Sequence, residues 1–464
     1  MGEHIAKGCA MGGGWMKIGT KLLGVGPWSA ALVGVVAGVL VACQSVRSVV
    51  QPDASPVSRK VSFEKEPDIR VKVAAGVTER QVDQPGKVVV RVAGGGHPDV
   101  KPQLFSTPVT LTCNSQGILV KAAGTQRRFP PGIDLDVVPS DGRSDGASPE
   151  WLRVSGVRYP GFVTLRPQWN GDPARIDVVA TMPIETYLPG VLTHELPKDW
   201  PRQAYEMQAV AARTYAIHER GRALAEGRQW DVEGTTNDQM FGGGTDALTP
   251  NEAARATRGL ILVYDGKPLR AYYSSTCGGR PASAAKVWPV KPGYEFNLAA
   301  PLQGKPREFY CQSSKWYRWE VTRDDDDVNK RLRAWGRATN DNPVENITRV
   351  REIKVLERND AQRPNSYQLT DSEGRTYKLS AEELRFAMNQ PVPGLPPITP
   401  QNRINSGDFE VDIWASSVRV RGRGFGHGVG MCQYCAKGMA DNGLDWGTMV
   451  RKFYPGAEVQ KAYP

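Results

Sequence analysis

From Ile69 onward, apolar and polar positions alternate with a period of two: Ile69, Val71 and Val73 are separated by Arg70 and Lys72. Successive strand side chains point to opposite faces, so this is the pattern of a half-buried strand. Val88–Val92, Val109–Thr112, Gly117–Val120 and Ile133–Val137 continue the theme, separated by Gly, Asn and Pro. Arg158–Leu165 and Ala174–Ala180 read as two more strands. Residues 62–180 are therefore predicted to be a β-rich N-terminal part, with exposed loops at Gly94–Val100 and Pro139–Pro149.

Past residue 181 the period lengthens. Tyr187–Pro201 reads as proline-rich turns holding one carboxylate, Glu195. Ala204, Met207, Ala211 and Tyr215 then recur every three or four residues, which predicts a helix with one apolar face. Asp199 is the expected cap, Pro201 sits near the first turn, and Gly221 and Gly227 end the helical region. A short helix is predicted over Pro250–Thr257, and Asp265-Gly266 marks a hairpin turn between Leu260–Tyr264 and Leu269–Tyr273. The acidic run Asp324–Asp327 should precede a helix, residues 349–357 and 367–370 read as β, and Pro391–Pro400 as a loop. Near the end, a strand from Val418 runs into glycine at every second position, Gly422 to Gly430, and Cys435–Asn442 reads as the body of a helix. The predicted fold class is α+β, with residues 181–464 forming a mixed α/β core.

The first 61 residues follow other rules. Lys7, Lys17 and Lys21 precede an uncharged run from Leu22 to Ala42, which ends Leu40-Val-Ala-Cys43. A basic region, an apolar run and small residues before a cleavage point describe an export signal over 1–42. Leu-Val-Ala-Cys also resembles the bacterial lipobox, which makes Cys43 the lipidated residue; an uncleaved membrane anchor is the alternative. Residues 43–61 are polar and read as a tether. Either way the body is expected on the extracytoplasmic side of a membrane, in the periplasm or cell envelope.

Charge narrows the partners. The 464 residues carry a net charge of +10, which favours acidic partners. The Lys and Arg residues are scattered, without a basic block interleaved with aromatics, so no nucleic-acid partner is expected.

Several familiar catalytic motifs are absent or incomplete. His194-Glu195 lacks the second histidine of a zinc protease helix, because position 198 is Lys. The one G-x-S-x-G string, Gly142-Arg-Ser-Asp-Gly146, falls in the predicted loop Pro139–Pro149 and not at the strand-to-helix turn that a serine-hydrolase elbow requires. The glycine-rich stretch around His427 lacks the register and the Gly-Lys-Ser/Thr ending of a phosphate loop. His427 in that bare loop is either open to a ligand or buried and bonded to main chain. Cysteines 113, 277, 311, 432 and 435 follow Cys43. Export favours disulfides among Cys277, Cys311, Cys432 and Cys435. Zinc is the minority reading, with Cys432-Gln-Tyr-Cys435 as half of a site completed by Cys277 and Cys311 or by His427. No other cofactor is expected. Trp200, Trp288, Trp316, Trp319 and Tyr273 could stack on sugar rings, although tryptophan is more often core.

Several separated motifs, in order, resemble the stage II sporulation protein D family, also called the LytB or amidase-enhancer family. They are Tyr187-Leu-Pro-Gly-Val-Leu-Thr-His-Glu-Leu-Pro197, Gln208-Ala-Val-Ala-Ala-Arg-Thr-Tyr-Ala216, Ala271-Tyr-Tyr-Ser-Ser-Thr-Cys-Gly-Gly279, Gly422-Arg-Gly-Phe-Gly-His-Gly-Val-Gly-Met-Cys-Gln433 and Phe453-Tyr-Pro-Gly456. The resemblance implies a lytic transglycosylase of peptidoglycan glycan strands, with Glu195 as general acid and base. It also implies Arg213, Tyr273, Ser274, Thr276 and His427 as substrate-binding candidates. For Arg213 a structural ion pair is equally open. The alternative implied by the family's enhancer members is a non-catalytic glycan-binding lipoprotein that stimulates a cell-wall amidase. Two positions depart from the family: Ser274 stands where histidine is frequent, and Cys432-Gln-Tyr-Cys435 where Ser-Gln-Trp/Tyr-Gly is usual.

Overall fold

The computed structural model describes residues 60–464 apart from 84–85, 95–96, 98, 141–150, 169–174 and 340–341. The expected signal over 1–42, Cys43 and nearly all of the expected tether lie outside the described residues. The alternating region forms two sheets. In the first, β1 (Asp68–Val77) pairs antiparallel with the strand Arg175–Pro183, and the order continues through Phe162–Gln168, Leu135–Pro139, Lys87–Val92 and Gln103–Ser106. Ile69 and Val71 are fully buried while Arg70 and Lys72 face outward, as the period of two requires. The second sheet has six strands, with Val109–Asn114 between Glu79–Val82 and Gly117–Ala122.

The run expected as one strand over Arg158–Leu165 is two. Val157–Pro160 belongs to the second sheet, and β2 (Phe162–Gln168) to the first. Gly161 makes the change at φ +85°, and a Cβ there would lie 2.2 Å from the Thr181 carbonyl oxygen. Only glycine fits both the angle and the contact.

β3 (Arg175–Pro183) leads directly into α1 (Ile184–Glu195), so the stretch read as turns is helical up to Glu195. Pro189 lies inside this helix. Gly190 is required next to it, since a Cβ there would stand 2.4 Å from the Gly243 carbonyl oxygen and 2.5 Å from the Phe241 ring. The following helix, α2 (Arg202–Ala225), is capped by Pro201 without a side-chain bond, so Asp199 is not its cap. α2 continues through Gly221, where nothing is packed closely enough to break it. Every residue from Ala204 to Ile217 is buried, and the many alanines let neighbours approach on all sides. Those neighbours include α1, α3 (Leu248–Ala256) and β4 (Leu260–Tyr264). After β4 the chain turns at Asp265 (φ +51°) and Gly266 (φ +67°), the left-handed pair of a type I′ hairpin.

β5 (Tyr273–Ser274) is short, and its partner comes from far along the chain. A module with its own apolar core intervenes. It contains the strands Trp319–Asp324, Phe409–Ile413 and Ser417–Gly422, a second three-stranded sheet from Val350 to Ser380, and the helices α4 (Asp325–Ala338) and α5 (Ala381–Met388). Leu332, Leu369, Leu384, Phe409 and Val420 fill that core. Asp324 caps α4 by accepting the Asp326 amide at 2.9 Å, which explains the acidic run. The chain then returns as β6 (Met431–Cys432), which pairs parallel with β5 and opens α6 (Gln433–Asp441). α7 (Trp446–Phe453) packs on α2 and α6, and the last strand, Glu458–Lys461, pairs with β4. The α+β expectation holds. Among the described residues no helix is long and apolar enough to cross a membrane.

Candidate active site

Glu195 is the last residue of α1, beyond which the backbone becomes extended at Leu196. Three donors converge on its carboxylate. The Met240 amide donates to Oε1 at 3.2 Å, the Tyr273 hydroxyl donates to Oε1 at 3.4 Å, and Gln433 Nε2 donates to Oε2 at 3.1 Å. Each comes from a different part of the chain. Met240 precedes the glycine loop 241–244, which packs on α1 only because Gly190 has no side chain. Tyr273 is on β5, and Gln433 begins α6; the β5–β6 pairing, Tyr273 with Met431 and Ser274 with Cys432, sets them side by side.

Amide side chains tie the donors together. Gln239 Nε2 donates to the Tyr273 hydroxyl at 3.1 Å, and its Oε1 accepts from Tyr187 at 3.0 Å. Gln433 Nε2 also reaches Gln208 Oε1 on α2 at 3.3 Å. Burial raises the Glu195 pKa above the ordinary carboxylate value, and the bonds from Gln433, Met240 and Tyr273 oppose that rise without cancelling it. Burial, with Glu195 nearby, pushes the Tyr273 phenol well above its usual range, so it stays a neutral donor. The residue as a whole is half-buried. An acid with a raised pKa and a fixed orientation can deliver a proton to a bound oxygen.

The other predicted residues are placed differently. Arg213 is fully buried, donating to both Glu185 oxygens at 2.8 Å and to the carbonyls of Ala254 and Leu260. It is an ion pair inside the core, and its contacts leave no face for substrate. Burial pushes the Glu185 carboxyl up, but the Arg213 guanidinium and the bonds from Tyr463 and Gly259 hold it below the usual range. Thr276 is also fully buried, bonded to Ser314 at 2.8 Å and bridged through its backbone to Phe425. Ser274 Oγ accepts the Gly428 amide at 3.1 Å. His427 donates from Nε2 to the Tyr273 carbonyl at 2.9 Å and accepts the Val429 amide at Nδ1 at 3.0 Å. Both its nitrogens are thus engaged with main chain, and burial lowers its pKa to about 3, so it is neutral. His427 fixes the backbone behind Tyr273; of the two readings left open, this is main-chain bonding. Of the predicted binding residues, only Tyr273 touches Glu195.

The aromatics chiefly pack on one another. Trp200 meets Tyr434 edge-on with centroids 4.9 Å apart, Trp288 stacks on Tyr272 at 3.9 Å, and Trp316 stacks on Phe425 at 5.5 Å. Trp319 covers Gly422 and donates to the Gly424 carbonyl at 2.8 Å.

Among the described residues no cysteine is in a disulfide, contrary to the expectation from export. The four sulfurs of Cys277, Cys311, Cys432 and Cys435 instead lie within 4.8 Å of one another, fully enclosed. Cys113 is buried separately in the second sheet. Sequence reading missed Gln433, Gln239, Gln208 and the Met240 amide. Gln433 and Gln208 stand inside the motifs quoted above, but an amide side chain carries no signature of its role.

Comparison with known proteins bears on this geometry. Residues 173–264, which run from β3 through Glu195 to β4, match the profile of the family described as Stage II sporulation protein. Over that stretch the chain is similar to the stage II sporulation protein family. Residues 291–430, nearly the whole inserted module, match a domain of unknown function. An uncharacterized protein of Brachyspira hyodysenteriae is 28% identical over 310 residues, covering 66% of this chain and 73% of that protein. The stage II sporulation protein D of Bacillus subtilis is 24% identical over 330 residues, 68% of this chain and 82% of its own length. The amidase enhancer of Bacillus subtilis is 27% identical over 296 residues, 59% of this chain but 40% of that longer protein.

Proposed function

We propose that the protein acts on the cell wall as a lytic transglycosylase, cleaving peptidoglycan glycan strands through Glu195. The observation that carries this reading is the Glu195 carboxyl, oriented by donors from three chain segments and raised in pKa by burial. The similarity to the stage II sporulation protein family and the relatives named for sporulation and amidase enhancement support a cell-wall role.

One carboxyl can suffice. Glycosidases ordinarily use two, one to protonate the leaving oxygen and one to activate the attacking group. If the sugar's own 6-hydroxyl attacks its anomeric carbon, no water is activated. Glu195 gives its proton to the departing glycosidic oxygen as the C1–O bond breaks, then takes the proton of the 6-hydroxyl as the new C1–O6 bond closes. The acid is regenerated and the product ends in a 1,6-anhydro-muramyl residue. Oε1 holds two of the donors and Oε2 one, so Oε2 is the oxygen with room for the proton. In this reading the protein works on the extracytoplasmic side of the membrane, attached through lipid at Cys43.

The relative named amidase enhancer favours a second reading, in which the same site holds glycan and stimulates a cell-wall amidase without cleaving. One experiment separates them. The chain without residues 1–42 is incubated with peptide-free glycan strands, and the products are read by mass spectrometry. Anhydro ends that vanish in Glu195→Gln support cleavage. Strand binding with no new ends supports the enhancer reading, and cleavage unchanged in Glu195→Gln overturns the site.

A further inference from the structure

Cys277, Cys311, Cys432 and Cys435 come from three separate stretches, and the proposed chemistry at Glu195 uses none of them. Their side chains are at most 1% exposed. Cys277 Sγ stands 3.8 Å from Cys311 Sγ and 3.8 Å from Cys435 Sγ, and all four sulfurs lie within 4.8 Å of each other. A zinc–thiolate bond is about 2.3 Å, and a regular tetrahedron of that radius has edges of about 3.8 Å. A disulfide instead pairs each sulfur with one neighbour at about 2.0 Å. Here Cys277 is equidistant from two sulfurs, which is the arrangement of vertices around a centre and not of two bonded pairs.

The surroundings suit thiolates. The Cys277 amide points to Cys432 Sγ at 3.2 Å, the Cys435 amide to the same sulfur at 3.4 Å, and the Tyr310 amide to Cys435 Sγ at 3.4 Å. Backbone donors aimed at ligand sulfurs are the outer-shell support that orients and tunes a metal site. Cys432-Gln-Tyr-Cys435 has the two-residue spacing of a zinc half-site, with Cys432 capping α6 and Cys435 in its first turn.

We propose that these four cysteines bind a structural zinc ion that holds the Glu195 site together. Four protein ligands close the coordination sphere, so the ion is not a Lewis acid for substrate. Its effect is positional. Gln433 lies between two ligands and donates to Glu195, while Cys277 follows β5, which carries Tyr273. Cys311 ties the start of the inserted segment to both. Zinc thus fixes two of the three donors to Glu195 from outside the site.

The test is metal content, which does not depend on whether glycan is cleaved. The chain without residues 1–42, purified without chelator, is expected to hold about one zinc by elemental mass spectrometry. Cobalt put in its place should show the intense ligand-field and charge-transfer bands of a tetrahedral tetrathiolate. Cys311→Ser and Cys432→Ser should each weaken metal affinity at least about tenfold, while Cys113→Ser retains the ion. If the serine variants fail to fold, the cobalt spectrum of the unaltered chain still decides. Absence of metal together with two disulfides by intact mass, or a cobalt spectrum without thiolate character, overturns the site and leaves the glycan reading untouched.

Discussion

At the residue scale, Glu195 and Glu185 sit on one helix and are driven in opposite directions. Glu195 is raised by burial, and its bonds come from neutral donors; Glu185 faces the Arg213 guanidinium. Glu195→Gln is expected to lower strand cleavage by about a hundredfold or more, since it removes the transferable proton. For the unaltered protein, cleavage should fall as pH rises through the raised Glu195 pKa, because the acid must start protonated. Folding stability shares that sign: a carboxyl raised in the folded state binds more protons there than when unfolded, so its contribution is lost as pH rises through that pKa. Thermal melts of Glu195→Gln should therefore depend less on pH between the unfolded and folded values. Tyr273→Phe removes a donor that favours the ionised form, so the alkaline limb of the kcat/KM profile should move upward, with a loss of up to about tenfold. Arg213→Met is expected to cost about 3–5 kcal/mol in denaturant unfolding, by leaving Glu185 ionised and unpaired in the core. Glu185, held low, contributes stability that is present above the unfolded carboxyl pKa and lost as pH falls through the folded one.

At the scale of elements, the site is where α1, the glycine loop, β5 and α6 meet. α1 was hard to read because Pro189-Gly190 suggests a turn, and it is the close approach of Gly243 and Phe241 that explains the glycine. Gly190→Ala is expected to destabilise the fold by about 1–3 kcal/mol and to displace Met240 from Glu195. The measurement is a drop in kcat larger than the loss of folded protein, read by circular dichroism on the same sample. The strands of the N-terminal part and the helix α2 were legible because period is a local property. The β5–β6 ladder was not, since its two strands are two residues each and no periodicity accumulates over that length.

At the scale of the whole molecule, the inserted module has a core distinct from that of the domain carrying Glu195. Arg363 joins the two, donating from the module to the carbonyls of Arg280 at 3.1 Å and His427 at 3.3 Å. Leu369→Ala, at a fully buried position of the module, should cost about 2–5 kcal/mol there. Hydrogen exchange should show faster opening of Val350–Ser380 and unchanged protection of α2, and equal loss in both would mean that the two cores unfold as one.

The sequence by itself determined the β-rich first part, the central helix, the Asp265-Gly266 turn, the helix at the acidic run and the candidacy of Glu195, because each rests on the period or chemistry of neighbouring residues. Tertiary structure alone decided the rest. It put Arg213 in the core with Glu185, turned both nitrogens of His427 to main chain, and chose Gln433 as a partner of Glu195 across 238 positions of sequence. It also set four cysteines as one cluster instead of two bonded pairs. The physical reason is common to all four: burial and hydrogen-bond partners belong to the packed surroundings, and distance along the chain carries no record of distance in space.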